Sequence, residues 1–329
     1  MDRSQRLIHQ LADGQWHSGQ ALAELLEVSR AAVWKRLQAL EALGLELESR
    51  HGKGYRLTAP IELLDESAIR QAMLAEQNQQ LNLLKVFSSL DSTNAWLMTQ
   101  TDAPAVAMAE HQTAGRGRRG RAWCSPFGAN LYFSLAWRFE TLPPQLPALS
   151  LAVGVVLAET LKDFGATGVG LKWPNDLLWQ GRKLAGILIE HQGEAAGPCR
   201  VVVGVGLNLA MSKGQGESIT QDWVGLYELL GQSQSSALSP EPSRNQLAGQ
   251  LLSRLMQALQ QFSQHGFAPF QPRWSVLDVS RDQKVRIEQP GGNIEGVAEG
   301  VDRDGALLIR VRGERQRFFS GEVSLRTQS

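Results

Sequence analysis

Residues 115–121 are the part of the sequence best suited to holding an anion. Four arginines and three glycines are interleaved within these seven residues. Glycine lets a backbone approach a ligand closely and adopt positive φ, and arginine carries a planar fork of donors that stays charged at physiological pH. The segment therefore suits a polyanion such as a nucleoside triphosphate. A solvated basic loop or a nucleic-acid-binding patch explains the heptapeptide alone equally well.

The spacing of Gly115, Gly117 and Gly120 also satisfies the GxGxxG pattern of dinucleotide-binding turns. That pattern indicates a Rossmann turn only where a strand precedes the glycines and a helix follows them. Residues 106–110 could form the strand, but residues 122–128 do not have the pattern of an amphipathic helix. We therefore exclude the Rossmann interpretation.

Two further segments place charged side chains beside regular structure. Residues 172–176 hold a lysine, an amide and a carboxylate at the end of a strand, because Pro174 fixes the backbone and disfavours helix before it. Residues 181–190 place Lys183 at the mouth of an apolar strand. A single lysine is usually a solvated surface charge. Four arginines and a lysine that converge on one sheet edge, however, suit a reaction in which negative charge accumulates on phosphorus.

Composition excludes several classes of protein. With 329 residues, of which 43% are hydrophobic and 20% charged, the chain is typical of a globular protein with a sizeable core and two or three domains. The net charge is zero, so nucleic acid must be met by a local patch. The two cysteines form neither a disulfide framework nor a metal site. We expect no signal peptide, because no apolar run follows the first residues, and the most apolar stretch, residues 149–158, is about half of the ~20 residues of a membrane span. We expect a cytoplasmic protein without a membrane partner.

The first 60 residues have the pattern of a helix-turn-helix with a wing. Helical periodicity predicts helices from near Ser4 to Leu11, from Ser18, and from the N-cap Ser29 to Gly44, before a short hairpin with a basic tip. Such a third helix lies in the DNA major groove while the wing touches phosphates. Residues 1–58 contain eight Lys and Arg against seven Asp and Glu, so a helical protein-interaction module remains an alternative. The predicted DNA contacts are Ser29, Arg30, Lys35, Arg36 and Lys53; Gln38, Arg50 and Arg56 share the same surfaces.

The rest of the chain divides into three parts. Residues 61–82 have the pattern of a connecting helix and a glutamine-rich linker. Residues 83–270 alternate strands and helices, which predicts a mixed α/β domain. Short strands between turns predict a small β-barrel in residues 271–329. The predicted strands of the central domain are residues 83–87, 105–110, 130–139, 168–173, 183–191 and 200–210, and its main helix is residues 146–164.

Six segments together resemble the motifs of the biotin protein ligases, and the N-terminal winged helix resembles the bifunctional bacterial subtype that also represses the biotin operon. The resemblance covers nearly the whole chain. It implies an α+β multidomain protein, with a central domain like that of class II aminoacyl-tRNA synthetases and a C-terminal SH3-like barrel. Cys124 departs from the family pattern, in which a larger apolar residue follows the tryptophan. The segments are residues 91–94, 115–121, 125–131, 172–176, 182–188 and 204–208.

The resemblance implies a two-step reaction with biotin, ATP and Mg²⁺. The carboxylate of biotin attacks the α-phosphate to give biotinyl-5′-AMP and pyrophosphate, and a lysine of a biotin carboxyl carrier protein is then acylated. Arg118 and Lys183 would neutralise the reacting anions, and Asp176 would orient or deprotonate the acceptor lysine. The implied biotin contacts are Ser92, Thr93, Asn94, Gln112, Gly115, Arg116, Gly117, Arg118, Trp123, Lys183, Gly186, Leu188 and Gly204. The implied ATP or adenylate contacts are Arg118, Arg119, Arg121, Asn175, Lys183, Asn208 and Trp223.

The resemblance also implies regulation. Biotinyl-AMP would order residues 115–121 and 211–223 over the ligand, and a homodimer formed through an edge strand would bind a palindromic operator. We place that edge strand at residues 201–208, where the carrier protein would compete for it. Two alternatives stay open: a lipoate or octanoate ligase, and a ligand-sensing repressor without turnover.

Overall fold

A computed structural model of the protein describes residues 3–193, 197–232, 241–289, 292–319 and 324–327. Strands within these residues form a two-stranded hairpin, a seven-stranded sheet and a five-stranded sheet. The three sheets follow one another along the chain, as the N-terminal, central and C-terminal parts expected from the sequence. None of the described helices combines the length and apolarity needed to span a bilayer.

The N-terminal part folds as three helices and a hairpin because apolar residues at helical spacing follow good capping residues. Ser18 and Ser29 accept hydrogen bonds from the backbone N–H groups of Ala21 and Ala32, and so begin the second and third helices. The apolar faces enclose a core of their own, which also takes up Phe127 from the central domain. The predicted helix-turn-helix with a wing is confirmed. Its elements are α1 (Arg3–Leu11), α2 (Gly19–Leu26), α3 (Arg30–Glu41), β1 (Leu47–Arg50) and β2 (Gly54–Leu57).

The segment between the N-terminal and central domains is packed against the central domain. Apolar residues on both sides of the glutamines, among them Ile69 and Leu81, enter the main hydrophobic core, and Gln77 itself is buried. The prediction of a glutamine-rich linker within residues 61–82 is therefore wrong, because these apolar side chains anchor the segment. It forms α4 (Glu66–Ala72) and α5 (Ala75–Gln80).

The central domain is built on a mixed sheet of seven strands. They are β3 (Leu83–Phe87), β4 (Ala105–Ala109), β5 (Leu131–Phe139), β6 (Val169–Lys172), β7 (Asp176–Trp179), β8 (Arg182–Gly193) and β9 (Cys199–Leu207). Their order across the sheet is β3-β4-β5-β9-β8-β7-β6. Strand β3 is parallel to β4, and the other neighbouring pairs are antiparallel. The strands β4 and β5 are buried over most of their length, as expected for apolar runs covered on both faces.

Helices of uniformly apolar or amphipathic sequence cover this sheet. Nearly all of α7 is buried because its sequence is apolar on every side, whereas α9 begins at the N-cap Ser243 and buries a row of leucines. Trp274 of α10 is buried where that helix packs against α7. The predicted boundary after residue 270 thus precedes a helix that packs on the central domain. These helices are α6 (Thr93–Met98), α7 (Leu149–Asp163), α8 (Leu226–Gln232), α9 (Arg244–His265) and α10 (Gln271–Leu277).

The sheet order corrects two expectations. Strand β9 lies between β5 and β8 and is hydrogen-bonded on both sides, so the prediction of an edge strand at residues 201–208 is wrong. Strand β7 was not predicted, because it is only four residues long and lies between Pro174 and a turn. Lys172 of β6 lies opposite Asp176 of β7, so residues 172–176 form a tight connection between these two antiparallel strands.

After α10, the C-terminal part is a five-stranded antiparallel sheet, which agrees with the short strands predicted there, whereas the closure of the sheet into an SH3-like barrel stays a prediction. Numbered β10 to β14 along the chain, with the bounds given at the end of this paragraph, the strands follow the order β13-β12-β11-β10-β14 across the sheet. Val285, Ile287 and Ile309 are buried and continue the main core of the molecule. The strands are β10 (Lys284–Gln289), β11 (Gly292–Val301), β12 (Leu307–Val311), β13 (Glu314–Phe318) and β14 (Ser324–Thr327).

The winged helix and the central domain meet at the C-terminal end of α3. The backbone N–H of Phe127 donates to the carbonyl of Leu43 at 3.3 Å, and Gln215 Nε2 donates to the carbonyl of Gly44 at 2.8 Å. Cys124 Sγ donates in turn to the carbonyl of Gln215 at 3.3 Å. The segment of residues 211–223, which was expected to cover the ligand, therefore touches the end of the predicted recognition helix through Gln215.

A buried ion pair fixes the chain where it leaves the winged helix. Arg244 Nη2 lies 2.8 Å from Glu110 Oε2, and each side chain is 5% exposed. Arg244 Nη1 donates to the carbonyl of Glu62 at 2.5 Å, and Glu110 Oε1 accepts from the backbone N–H of Leu64 at 2.5 Å. Burial would raise the pKa of Glu62, but hydrogen bonds from Ser243 and its neighbours outweigh it and lower the pKa. We call Glu62, Leu64, Glu110 and Arg244 the Arg244 cluster.

Candidate active site

Glycines on one face of two paired strands make the floor of the site. Gly206 of β9 lies opposite Gly186 of β8, and Gly204 occupies the same face two residues along. A Cβ added at Gly204 would lie 2.2 Å from Asn94 Oδ1, and one added at Gly206 would lie 2.3 Å from Trp123. Glycine therefore allows these two side chains to rest on the sheet.

A cavity of about 940 Å³ opens above this floor. It lies over a face of the sheet, so the expectation that the charged groups converge on a sheet edge is wrong. Gly115 lies behind the wall, where a Cβ would be 2.6 Å from the carbonyl of Trp123. All other predicted ligand contacts line the cavity: Ser92, Thr93, Asn94, Gln112, Arg116, Gly117, Arg118, Arg119, Arg121, Trp123, Asn175, Asp176, Lys183, Gly186, Leu188, Gly204, Asn208 and Trp223.

Neutral hydroxyl and amide groups form a connected network at one end of the cavity. Gln112 Oε1 accepts from the backbone N–H of Thr93 at 2.9 Å, and Gln112 Nε2 donates to Ser125 Oγ at 3.1 Å. Ser134 Oγ lies 2.7 Å from Thr93 Oγ1 and 2.5 Å from Asn94 Oδ1. Such a set of fixed, uncharged donors and acceptors suits a polar but neutral ring.

Glu190 joins two of the predicted contacts through one carboxylate oxygen. Its Oε2 accepts from Asn94 Nδ2 at 2.8 Å and from Arg116 Nη2 at 3.0 Å. Because Arg116 is neutralised by this pair, it differs from the other arginines of its segment, which border the opposite, cationic part of the cavity. The cavity therefore has a neutral end and a cationic end.

Lys183 is held at the cationic end by both its backbone and its side chain. The Nζ atom lies 2.8 Å from Asp176 Oδ1 and 5.4 Å from the centre of the Trp123 ring. The backbone N–H of Lys183 donates to the carbonyl of Asp222 at 2.8 Å, and its carbonyl accepts from the N–H of Val224 at 3.0 Å. The loop before α8 is thus bonded to the same residue whose ammonium group faces the cavity.

Arg118 is the second cation aimed into this end. Its Nη1 donates to Asn175 Oδ1 at 3.2 Å, while Asn175 Nδ2 donates to the carbonyl of Ile187 at 2.9 Å. The pKa of Arg118 is lowered, chiefly by burial. The carboxylate of Asp176 opposes this change, and the positive charges of Arg119 and Arg121 add to it. A partly buried guanidinium next to like charges is suited to binding an anionic ligand.

The remaining predicted adenylate contacts differ in their exposure and in the neighbours that fix their side chains. Arg119 and Arg121 are exposed, and Arg119 adopts a left-handed backbone with φ 59°. Asn208 Nδ2 already donates to the carbonyl of Lys183 at 3.2 Å. Trp223 packs over its own loop, since a Cβ at Gly216 would lie 2.5 Å from the indole.

Most of the predicted DNA contacts lie in solvent. Ser29, Arg30, Lys35 and Lys53 are exposed. Arg36 is half-buried and donates to the carbonyl of Ala32, one turn back in its own helix, at 3.1 Å. In the wing, Arg56 is paired with Glu48 at 2.9 Å and stacks on Trp16 at 4.8 Å, so the expectation that it contacts phosphate is not supported.

Comparisons with known proteins identify the chain. Family models match a helix-turn-helix domain at residues 3–56, the biotin/lipoate A/B protein ligase family at residues 86–208 and a biotin protein ligase C-terminal domain at residues 282–326. The bifunctional ligase/repressor BirA of Salmonella typhimurium is 41% identical over 98% of this chain and 97% of its own length. The chain belongs to the BirA family. BirA of Escherichia coli is 40% identical over the same shares of the two chains, 98% and 97%.

A solved structure agrees with the BirA family assignment. Biotin protein ligase from Aquifex aeolicus in complex with biotin and ATP has a TM-score of 0.63 and 28% identity, and it covers 75% of this chain and 99% of its own. The predicted membership of the biotin protein ligases, with a winged helix as in the bifunctional subtype, is confirmed. So is the α+β multidomain fold.

Two side chains at the site were not predicted from the sequence. Ser134 and Glu190 lie outside the predicted contacts although they position Asn94. Residues 218–221 line the cavity beside Trp223, within the segment 211–223 that was expected to cover the ligand. A signal for Ser134 was present, since it is the one serine within the largely apolar run of β5, but no local pattern shows that Glu190 reaches across to the arginine segment.

Proposed function

We propose that this member of the BirA family activates biotin with ATP to form biotinyl-5′-AMP and transfers the biotinyl group to a lysine of a biotin carboxyl carrier protein. The observation that carries the proposal is the division of one cavity into a neutral end, around Gln112 and Thr93, and a cationic end, around Arg118 and Lys183. The neutral end suits the ureido ring of biotin. The cationic end suits the carboxylate and the α-phosphate that must meet.

In the first step a carboxylate oxygen of biotin forms a bond to the α-phosphorus, and the bond from that phosphorus to pyrophosphate breaks. Two anions approach each other, so the reaction needs fixed positive charge where they meet. Arg118 and Lys183 supply it from adjacent supports, the first held by Asn175 and the second by Asp176. Because these supports are already formed, little reorganisation accompanies the reaction.

In the second step the neutral amine of the acceptor lysine attacks the acyl carbon, and AMP leaves with the bonding electrons. A lysine ammonium must first lose its proton. Asp176 is the carboxylate on the cavity wall among the described residues, and we assign it the role of orienting the amine or accepting its proton. Lys183 stabilises the phosphate of AMP as it leaves.

Mg²⁺ is part of the proposal as a partner of ATP. Within the part of the chain that the structure describes, no three His, Cys, Asp or Glu side chains are grouped to hold a metal ion. Mg²⁺ commonly binds through substrate phosphates and one or two carboxylates. Asp176 and the amide oxygen of Asn175 fit that donor set, and the ion would neutralise charge on the phosphates.

The regulatory part of the proposal rests on the winged helix. We infer that the protein works in the cytoplasm, where biotinyl-AMP binding favours a homodimer that presents two winged helices to the half-sites of a symmetric operator. The contacts of Cys124, Gln215 and Gly44 support this coupling, because they link the ligand segments to the end of α3.

The first test is adenylate formation by the purified protein with biotin, ATP and Mg²⁺, measured as biotinyl-AMP and pyrophosphate. Arg118→Ala and Lys183→Ala should each reduce the rate by about 10²-fold or more. Arg182→Ala is the matched control, because Arg182 is paired with Glu228 at 2.7 Å and lies outside the cavity wall. A folded wild-type protein that forms no adenylate would refute the proposal.

A substrate panel separates the alternatives. Activation of lipoate or octanoate in preference to biotin would indicate the sister activity within the matched family. Binding of biotin and ATP without release of pyrophosphate would indicate a ligand-sensing repressor without turnover.

A further inference from the structure

Trp34 is a large apolar side chain that the folded protein leaves in solvent. It is the one aromatic residue of α3 and is 54% exposed. Val33, Leu37 and Leu40 carry the buried side of the same helix, so Trp34 lies on the outer side. Apolar surface is normally removed from water, and an indole on the outer face of a helix is suited to a partner.

The surroundings of Trp34 are cationic and polar. Arg30 and Gln38 lie one turn before and one turn after it on the same stripe of the helix, and Lys35 is its neighbour. All of these side chains are exposed. The outer face of α3 is therefore an apolar centre flanked by positive charge and an amide.

This pattern favours DNA over a second copy of the chain. Two copies that met through this face would bring Arg30 and Lys35 of each close to those of the other, and like charges would oppose the contact. A polyanion is complementary to the same charges. In a helix-turn-helix the second helix of the motif, which is α3 here, lies in the major groove with its N-terminal residues at the base edges. Trp34 is the fifth residue of that helix.

We infer that Trp34 is a specificity-determining residue that contacts the C5-methyl group of a thymine in the operator, and that Gln38 reads an adenine near it. The thymine methyl is the apolar group that the major groove offers, and a glutamine amide pairs with adenine N6 and N7. Residues four apart on a helix are separated by roughly 6 Å along its axis, or about two base-pair steps. The half-site should contain an A/T-rich centre. This inference rests on the operator binding of the proposed function.

The experiment begins with selection of binding sites from random duplex DNA by the full-length protein with biotin, ATP and Mg²⁺. Wild type, Trp34→Ala and Lys35→Ala are compared at fixed salt. The wild-type site should contain a thymine whose replacement by deoxyuridine, which removes only the methyl group, weakens binding about five- to tenfold. The same replacement should change the affinity of Trp34→Ala less than twofold.

Lys35→Ala is the matched control, since it should weaken all sequences alike and lower the salt dependence while keeping the sequence preference. Rates of biotinyl-AMP formation in both variants should equal the wild-type rate, which shows that the proteins are folded. Selection of the same site with the same affinity by Trp34→Ala would overturn the inference, and so would an equal effect of deoxyuridine on both proteins. A wild-type protein that selects no sequence would refute operator binding itself.

Discussion

Asp176 is the residue in which the two steps of the proposed reaction meet. Its carboxylate is paired with Lys183 at 2.8 Å and also lies on the cavity wall where an acceptor amine would enter. It can act by holding Lys183 or by taking a proton, and these roles belong to different steps.

Asp176→Asn separates the two roles. If Asp176 accepts the proton of the acceptor lysine, transfer from preformed biotinyl-AMP to the carrier protein should fall about 10²-fold or more, and adenylate formation should fall much less. Single-turnover measurements of each step give the comparison. Equal losses in both steps would assign Asp176 to positioning Lys183.

Asp278 is a buried carboxyl group at the junction between the central and C-terminal domains. Its Oδ1 accepts from the backbone N–H of Ser280 at 2.8 Å, and its Oδ2 has no hydrogen-bond partner among the described residues. Burial raises the pKa of Asp278 from 3.8 to about 6. Between these values the folded protein keeps a proton that the unfolded chain releases, so stability falls as pH rises through this window and stays lowered above it.

Asp278→Asn should therefore stabilise the protein at pH 7.5, by about 1 to 3 kcal/mol, since the amide keeps an acceptor without a charge. The gain should shrink as the pH falls from 6 toward 3.8, because the carboxyl group of Asp278 is then protonated and uncharged in the folded protein. Urea unfolding at several pH values tests this, with the exposed Glu314→Gln as control. A gain that does not change with pH would show that removal of the charge is not its cause.

At the scale of elements, the glycine floor of β8 and β9 is sensitive to a single added methyl group. Gly206→Ala would place a Cβ 2.3 Å from Trp123 and force the indole off the sheet. Because the sheet beneath is fully paired, the side chain must move, and we expect the Kd for biotin to rise about tenfold or more.

Titration of biotin into Gly206→Ala and Gly231→Ala measures this effect. Gly231 in α8 has no atom within 4 Å of an added Cβ, so its replacement is a matched control that should leave binding unchanged. Wild-type affinity in Gly206→Ala would show that biotin does not use this floor.

The sequence predicted helices and strands correctly where a capping residue or an apolar run with regular spacing marks them. Ser18 and Ser29 gave the starts of α2 and α3, and the apolar runs gave β4, β5 and β8. Two errors share one cause, since both concern contacts between residues distant in sequence. Nothing local states that β9 lies between β5 and β8, or that the residues around Gln77 pack on a helix whose N-cap is Ser243.

The site could be predicted as a set of residues but not as a geometry. The motifs bring the arginine segment, the 172–176 turn and Lys183 together because their order matches a known family. Which cation pairs with which support depends on the sheet register, and so do the roles of Ser134 and Glu190. Register is a long-range property that spacing within one segment does not encode.

At the scale of the whole molecule, Gln215 connects the segment of residues 211–223, which borders the cavity, to the winged helix, because its side-chain amide donates to the carbonyl of Gly44. A ligand that orders this loop also fixes the end of α3, and by linkage DNA binding should favour the ordered loop.

Gln215→Ala should reduce the factor by which biotin and ATP tighten DNA binding, by roughly 5-fold or more, while adenylate formation changes little. Affinity for a selected DNA site is measured with and without the ligands. Glu217→Gln, an exposed change in the same loop, is the control. An unchanged factor in Gln215→Ala would place the coupling elsewhere.

The Arg244 cluster also determines where this protein can be divided. Glu62 and Leu64 precede α4 in sequence and follow the winged helix, yet their backbone groups complete the shell around Arg244 and Glu110. A chain that begins at residue 66 would leave that buried ion pair without two of its hydrogen bonds. A shortened protein that lacks the DNA-binding domain must therefore keep the residues from Glu62 onward. The gene for a ligase without this domain should accordingly start upstream of the Glu62 codon.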